Sequence, residues 1–234
     1  MRLSSTSLTH GAPVPEHLAF CRIHPTEPAE HVSMAENRSP HLAWSDVPAG
    51  TRSLVIIVHD PDVPSAGDDV NKEGRTVPAD LPRVDFYHWV AVDLDPAMGE
   101  ITEGAFSDGI TARGKGGPDG PHGTRQGRND YTGWFAGDPD MEGEYHGYDG
   151  PCPPWNDELL HHYHHTVYAT DLDRVPVSGS FDAPAVREAI SGHILDQAEI
   201  VGTYTLNPAV AGAAKAPAPR APQPGAPEVL PAAE

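Results

Sequence analysis

The side chains best suited to chemistry in this chain are imidazoles, carboxylates and a tyrosine. HHYHHTVYATD (161–171) carries four histidines in five positions and follows a turn, GYDGPCPP (147–154), that contains Cys152. Three chemistries compete for these residues: a metal site, a cysteine nucleophile with a histidine base, or the wall of a binding pocket. On a strand, His161, Tyr163 and His165 share one face and His162 and His164 the other. His161 and His165 are then about 13 Å apart, too far for one ion whose Zn–N bonds span about 2 Å. His162 and His164, about 6.6 Å apart, make only a weak H-x-H half-site. No H-E-x-x-H or paired Cys spacing accompanies them, so neither a metal nor another cofactor is expected. Cys152 sits among Pro151, Pro153 and Pro154, which have no N–H to stabilise an oxyanion. A packed or pocket-lining thiol is expected there, and no residue is assigned a catalytic role.

The pocket reading draws on more of the chain. SLVIIVHDPD delivers Asp60 and Asp62 at alternate positions, and FYHW contributes His88. If these strands neighbour HHY, Asp60 orients a histidine, leaving imidazole and phenol donors for a small anion.

The elements that position these groups read mostly as strands. SLVIIVHD (53–60) is a β-branched apolar run bounded by turn residues. FYHWVAVDLD (86–95) alternates, with His88, Val90 and Val92 on one face and Trp89, Ala91 and Asp93 on the other. HHYHHTVYATD is a third strand, and LAWS (42–45) and IVGTYTL (200–206) are two more. FDAPAVREAISGHILDQAEI contains the one clear helix: Asp182 can cap it, Pro184 suits its first turn, and Val186, Ile190 and Ile194 form a stripe. The predicted fold is mainly β, an antiparallel two-sheet β-sandwich with a peripheral helix and long loops. Residues 1–206 form its single domain.

Two long loops, 64–85 and 103–146, carry no strong signals and read as lids or ligand-binding elements. The second holds a cationic group, Arg113, Lys115, Arg125 and Arg128, placed to draw an anion. The Ala/Pro-rich segment 207–234 reads as an unstructured tail.

The formal net charge of −19 argues against nucleic acid and anionic membrane surfaces as partners. No apolar stretch is long enough for stable membrane insertion. The first residues lack an apolar leader core, so a cytoplasmic location is expected. Cys21 and Cys152 are accordingly expected as free thiols.

The ordered combination of motifs resembles the phosphatidylethanolamine-binding protein family, in its bacterial Raf-kinase-inhibitor-like branch. The matching segments are SPHLAWSDVPAGTRSLVIIVHDPDVPS, FYHWVAVDL, RNDYTGW, GYDGPCPP, HHYHHTVYATD and GTYTLNP, within residues 13–208. The resemblance implies a β-sandwich with a small cavity for phosphate-like anions, including phospholipid head groups. It places Asp60, Asp62 and His88 on that cavity, Gly150 and Pro153 on its rim, and His161 with Tyr163 on its wall. The chain departs from the family pattern in the longer segment before FYHW, in FAGDPDMEGEYH, in WNDELL after the prolines, and in His162 where Arg is common. The function implied is binding of a small anionic or phosphorylated ligand. Alternatives are an interaction protein that inhibits a kinase or protease through the rim and insertions, and an enzyme using the Asp/His/Tyr cluster for acid–base chemistry.

Overall fold

A computed structural model describes residues 1–214. Its strands, in chain order, are β1 (Arg2–Ser4), β2 (Cys21–Ile23), β3 (Val32–Met34), β4 (Leu42–Ser45), β5 (Ser53–Pro64), β6 (Arg83–Leu94), β7 (Glu100–Ile101), β8 (Arg125–Gln126), β9 (His161–Thr170) and β10 (Ile194–Tyr204). The main sheet runs β10-β9-β5-β6-β8, a second β1-β4-β7, and β2 pairs with β3. The strand pairs within these sheets are all antiparallel.

The fully apolar run of β5 follows from its central place, with both of its faces buried. Leu54, Ile56 and Val58 face the larger core, where Leu42, Trp44 and Ile101 of the second sheet meet Trp89 and Val167. Val55 and Ile57 point the other way with Val90 and Val92, and are covered by Val186 and Ile190 of a helix. The sandwich and its peripheral helix are therefore present, with the β2–β3 ribbon added. Pro61 is tolerated in β5 because the pairing with β6 is irregular between Asp60 and Val63, so no ladder N–H is demanded of it.

The structure corrects three local readings. The helix, α2, spans Ala183–Ile190 and is capped by the Asp182 side chain, which accepts from Ala185 N at 3.1 Å. (A four-residue helix, Tyr131–Trp134, precedes it as α1.) The stripe does not continue to Ile194, because Gly192 at φ +83° turns the chain and Ile194 opens β10. In FYHW the alternation fails: the β5–β6 register shifts between Val58/Trp89 and His59/Tyr87. This bulge turns His88 to the same side as Trp89 rather than that of Val90.

The third correction concerns the thiols, since Cys21 and Cys152 form a disulfide across 131 residues of sequence. The pairing is prepared by backbone geometry: Phe20 N and Cys21 N both donate to Pro151 O, at 2.9 and 3.1 Å. Prolines that cannot donate still accept, and here the turn uses that capacity.

The tail reading also meets structure at its start, where Pro208–Ala214 form a short helix, α3; the remainder, 215–234, lies outside the described residues. No helix among the described residues is long and apolar enough to cross a membrane.

Candidate functional site

A cavity of about 200 Å³ opens where β5, β6 and β9 meet the 147–154 turn, α1 and the loop after β5. Its polar base consists of Asp60, His88, Tyr131 and Tyr163. Val63, Pro64, Val70, Phe86, Trp134, Pro153 and Pro154 make its walls largely apolar, with Cys152 of the disulfide also exposed to it.

His88 owes its place to the bulge and its orientation to two contacts. Its ring meets Tyr163 and Tyr131 edge-on, with centroids 5.2 and 5.6 Å away. Its Nδ1 donates to Asp149 O at 2.8 Å, which fixes the tautomer, because a carbonyl can only accept. Burial pushes its pKa down to about 4, outweighing the nearby Asp60 charge and the backbone carbonyls. At neutral pH the imidazole is uncharged, and Nε2 is the unprotonated nitrogen of a ring that lines the cavity. The Asp149 carboxylate is itself held by Lys115 (2.6 Å), Asn37 (2.7 Å) and Asn129 (2.8 Å), so the turn beneath His88 is rigid.

His161 lies behind the base. Its Nδ1 faces Asp60 Oδ2 at 2.7 Å and its Nε2 faces Asp157 Oδ2 at 3.2 Å. Asp157 in turn accepts both forks of Arg83, at 2.6 and 3.1 Å. Burial alone would lower the His161 pKa, but hydrogen bonds and charge from Asp157 and Asp60 prevail and hold it up at about 9. His161 is thus a buried imidazolium clamped between two carboxylates. Asp157 is also desolvated, yet its bonds to His161 and Arg83 keep its pKa low. Burial first, and the Asp60 charge second, push the Tyr163 phenol far up, so its hydroxyl keeps its proton.

Of the residues singled out from sequence, Asp60, His88, Pro153 and Tyr163 line the cavity, while Asp62, Gly150 and His161 do not. Both His161 nitrogens are engaged by carboxylates, so it cannot serve as a ligand donor. Asp62 instead accepts from His162 N and Nδ1, at 2.9 and 2.8 Å. Gly150 is a backbone anchor: its N–H donates to Asn37 Oδ1 and its carbonyl accepts from Tyr131 Oη. A Cβ there would fall 2.0 Å from Leu18 O.

The four cations read as an anion lure are each engaged elsewhere. Arg113 donates to Pro139 O, Lys115 pairs with Asp149, Arg125 with Asp93, and Arg128 lies near Glu144 and Asp182. Among the described residues no group of three or more His, Cys, Asp or Glu is placed to hold a metal ion.

Sequence reasoning missed Tyr131 and Trp134, although RNDYTGW was among the motifs noted, and it missed the WNDELL residues. Asn156 bonds Asp69 O and Arg75 O through Nδ2, at 2.8 and 3.0 Å, and accepts from Asn71 N. That fastens the loop after β5 to the rim, where Val70 and Asn71 reach the cavity. Asp157 stands four residues before His161, a spacing that signals nothing unless the chain turns between them, as it does here.

Fold and site together define an antiparallel β-sandwich protein with a small cavity of polar base and apolar walls at the strand ends. The chain matches the family model described as phosphatidylethanolamine-binding protein over residues 4–205, and it belongs to that family. It is 32% identical over 170 residues to the YbhB protein of Escherichia coli (strain K12), covering 73% of this chain and 83% of that one. It is 31% identical over 179 residues to a protein of Methanothermobacter thermautotrophicus, covering 76% and 89%. The solved structure of a phosphatidylethanolamine-binding protein homologue from Chlamydia trachomatis is similar to it, with a TM-score of 0.56 and 27% identity over 87% of this chain and 95% of that one. E. coli YbcL, at 24% identity and a TM-score of 0.60 over 87% of this chain and 97% of that one, shares the fold.

Proposed function

We propose that this protein binds a small phosphate-type anion, free or as the head of a phosphorylated molecule, in the cavity built on Asp60, His88 and Tyr163. The observation that carries the reading is a polar base under apolar walls, with its nearby charges matched. Asp60 and Asp157 are offset by His161 and Arg83, and Asp149 by Lys115. Despite a chain charge of −19, an anion entering here meets no unmatched carboxylate from these pairs. The apolar walls suit a substituent carried by the phosphate, and family membership agrees with this class of ligand. Titration with phosphate and phosphoethanolamine, followed by NMR, should move the His88 and Tyr163 ring signals, and His88→Ala should abolish the response. Signals that stay put at millimolar concentrations of both compounds would end this reading.

A further inference from the structure

At the base of the cavity Asp60 and His88 offer acceptors where a bare anion would need donors. His88 Nδ1 is committed to Asp149 O, which leaves Nε2 as the acceptor nitrogen of a ring on the cavity lining. Asp60 Oδ1 accepts from Asp62 N at 2.8 Å and Oδ2 faces His161 at 2.7 Å, yet each oxygen keeps acceptor capacity. The Tyr131 hydroxyl is spent on Gly150 O at 2.7 Å, while the Tyr163 hydroxyl, which keeps its proton, remains on the base as a donor. Prolines 151, 153 and 154 remove N–H groups from the rim. The donors left on the wall are the Asn71 amide, whose oxygen accepts from Trp155 N, and the Trp134 indole.

The geometry points to a ligand that brings its own proton: Asp60 and His88 Nε2 select hydrogen phosphate or a phosphomonoester monoanion and reject a proton-free oxyanion such as sulfate. This rests on the phosphate-type reading of the cavity. A P–OH group donates to Asp60 or to Nε2, while the remaining oxygens take the Tyr163, Asn71 and Trp134 donors. Sulfate has nearly the same size and shape but no proton at neutral pH, so its oxygens would face the carboxylate and the lone pair. A site built around a hydrogen bond rejects the analogue that cannot make it, because buried polar groups are left unpaired.

The charged and titratable groups around the base are Asp60 on β5, His161 and Tyr163 on β9 and Tyr131 on α1. Behind them stand Asp157 with Arg83, and Asp149 with Lys115. The His161 nitrogens face carboxylates and the Tyr131 hydroxyl is taken by Gly150 O, which leaves the Tyr163 hydroxyl as the proton donor of this set.

The test is calorimetric titration of the full chain at pH 7 with inorganic phosphate, sulfate and ethanolamine, and with methyl phosphate from pH 6 to 8. Phosphate should bind at least about 100-fold more tightly than sulfate. Methyl phosphate, whose second pKa is about 6, should lose about tenfold per pH unit above it, and inorganic phosphate, still protonated as the dianion, should not follow that slope. Asp60→Asn, which presents an amide donor, should bring sulfate to within about tenfold of phosphate; a melting curve establishes that the variant folds, and the wild-type contrast stands without it. Equal binding of phosphate and sulfate would overturn proton selection and leave the phosphate-type cavity standing. Ethanolamine binding more tightly than phosphate would also overturn it, since the acceptors would then be reading a cation. Binding of neither anion would remove the functional reading and this inference with it.

Discussion

Raising the pH from 7 to 10 should destabilise the protein through His161 alone by about 2 to 3 kcal/mol. Its imidazolium is fully buried between Asp60 and Asp157, with a pKa held up at about 9 against 6.5 for the free side chain. The folded state therefore holds this proton more tightly than the unfolded state. A group raised in this way contributes its full stability below pH 6.5, about 3 kcal/mol for a shift of this size. Most of that remains at pH 7, and nearly all of it is lost once the pH has passed 9. No solvent discount applies, because neither His161 nor its carboxylate partners are exposed. Urea unfolding at pH 7, 8, 9 and 10 should show the loss, and His161→Gln removes the titration, so the gap between the two proteins should narrow as pH rises. Long-range proton–nitrogen spectra read the same group directly, the variant identifying its signal among 14 histidines. Parallel stability curves from pH 7 to 10, or a His161 signal that titrates below pH 7, would refute the clamp.

The acid limb should run the other way. His88 and His165 are buried neutral with pKa values lowered to about 4 by desolvation, so the unfolded state takes up their protons first. The stability they leave intact above pH 6.5 drains between 6.5 and 4, on the order of 3 kcal/mol each; unchanged urea midpoints from pH 7 to 5 would contradict this. Removing the disulfide with Cys21→Ser and Cys152→Ser should cost about 2 to 5 kcal/mol, since the bond closes a long loop of the unfolded chain. A loss below about 1 kcal/mol on chemical denaturation would mean that the Pro151 hydrogen bonds hold the turn unaided. Gly150→Ala should cost more than about 3 kcal/mol or prevent folding, because its Cβ would meet backbone rather than a yielding side chain; a native-like melting temperature would refute that.

The fold was legible because its governing signals are local. SLVIIV announces a strand buried on both faces, and HHYHHTVYAT keeps its alternation, with His161, Tyr163 and His165 buried and His162 exposed. What failed depended on partners distant in sequence. The FYHW alternation breaks where β6 pairs with β5 through a bulge, which no pattern in β6 encodes. Cys21 and Cys152 lie 131 residues apart, and nothing beside either one identifies the other. The helix stripe ran on to Ile194 because periodicity persists past a glycine that ends the helix.

Part of the candidate site's lining was legible in the sequence, while the hydrogen-bonding role of its imidazoles was not. Asp60, His88 and Tyr163 do converge, as residue types at strand ends suggested, but the expectation was of imidazole donors facing an anion. Whether a neutral histidine donates or accepts is decided by the partner of its other nitrogen. For His88 that partner is the carbonyl of Asp149, whose carboxylate is pinned by Lys115, Asn37 and Asn129 from three separate segments. For His161 both partners are carboxylates, and Asp157 comes from WNDELL, a segment that looked like a departure from the family pattern. The same segment supplies Asn156, which fastens the loop after β5 to the cavity rim. This one segment thus helps make His161 a buried counter-charge and fastens the loop above it. In the proposed reading, the acceptors that a ligand meets are then Asp60 and His88 Nε2.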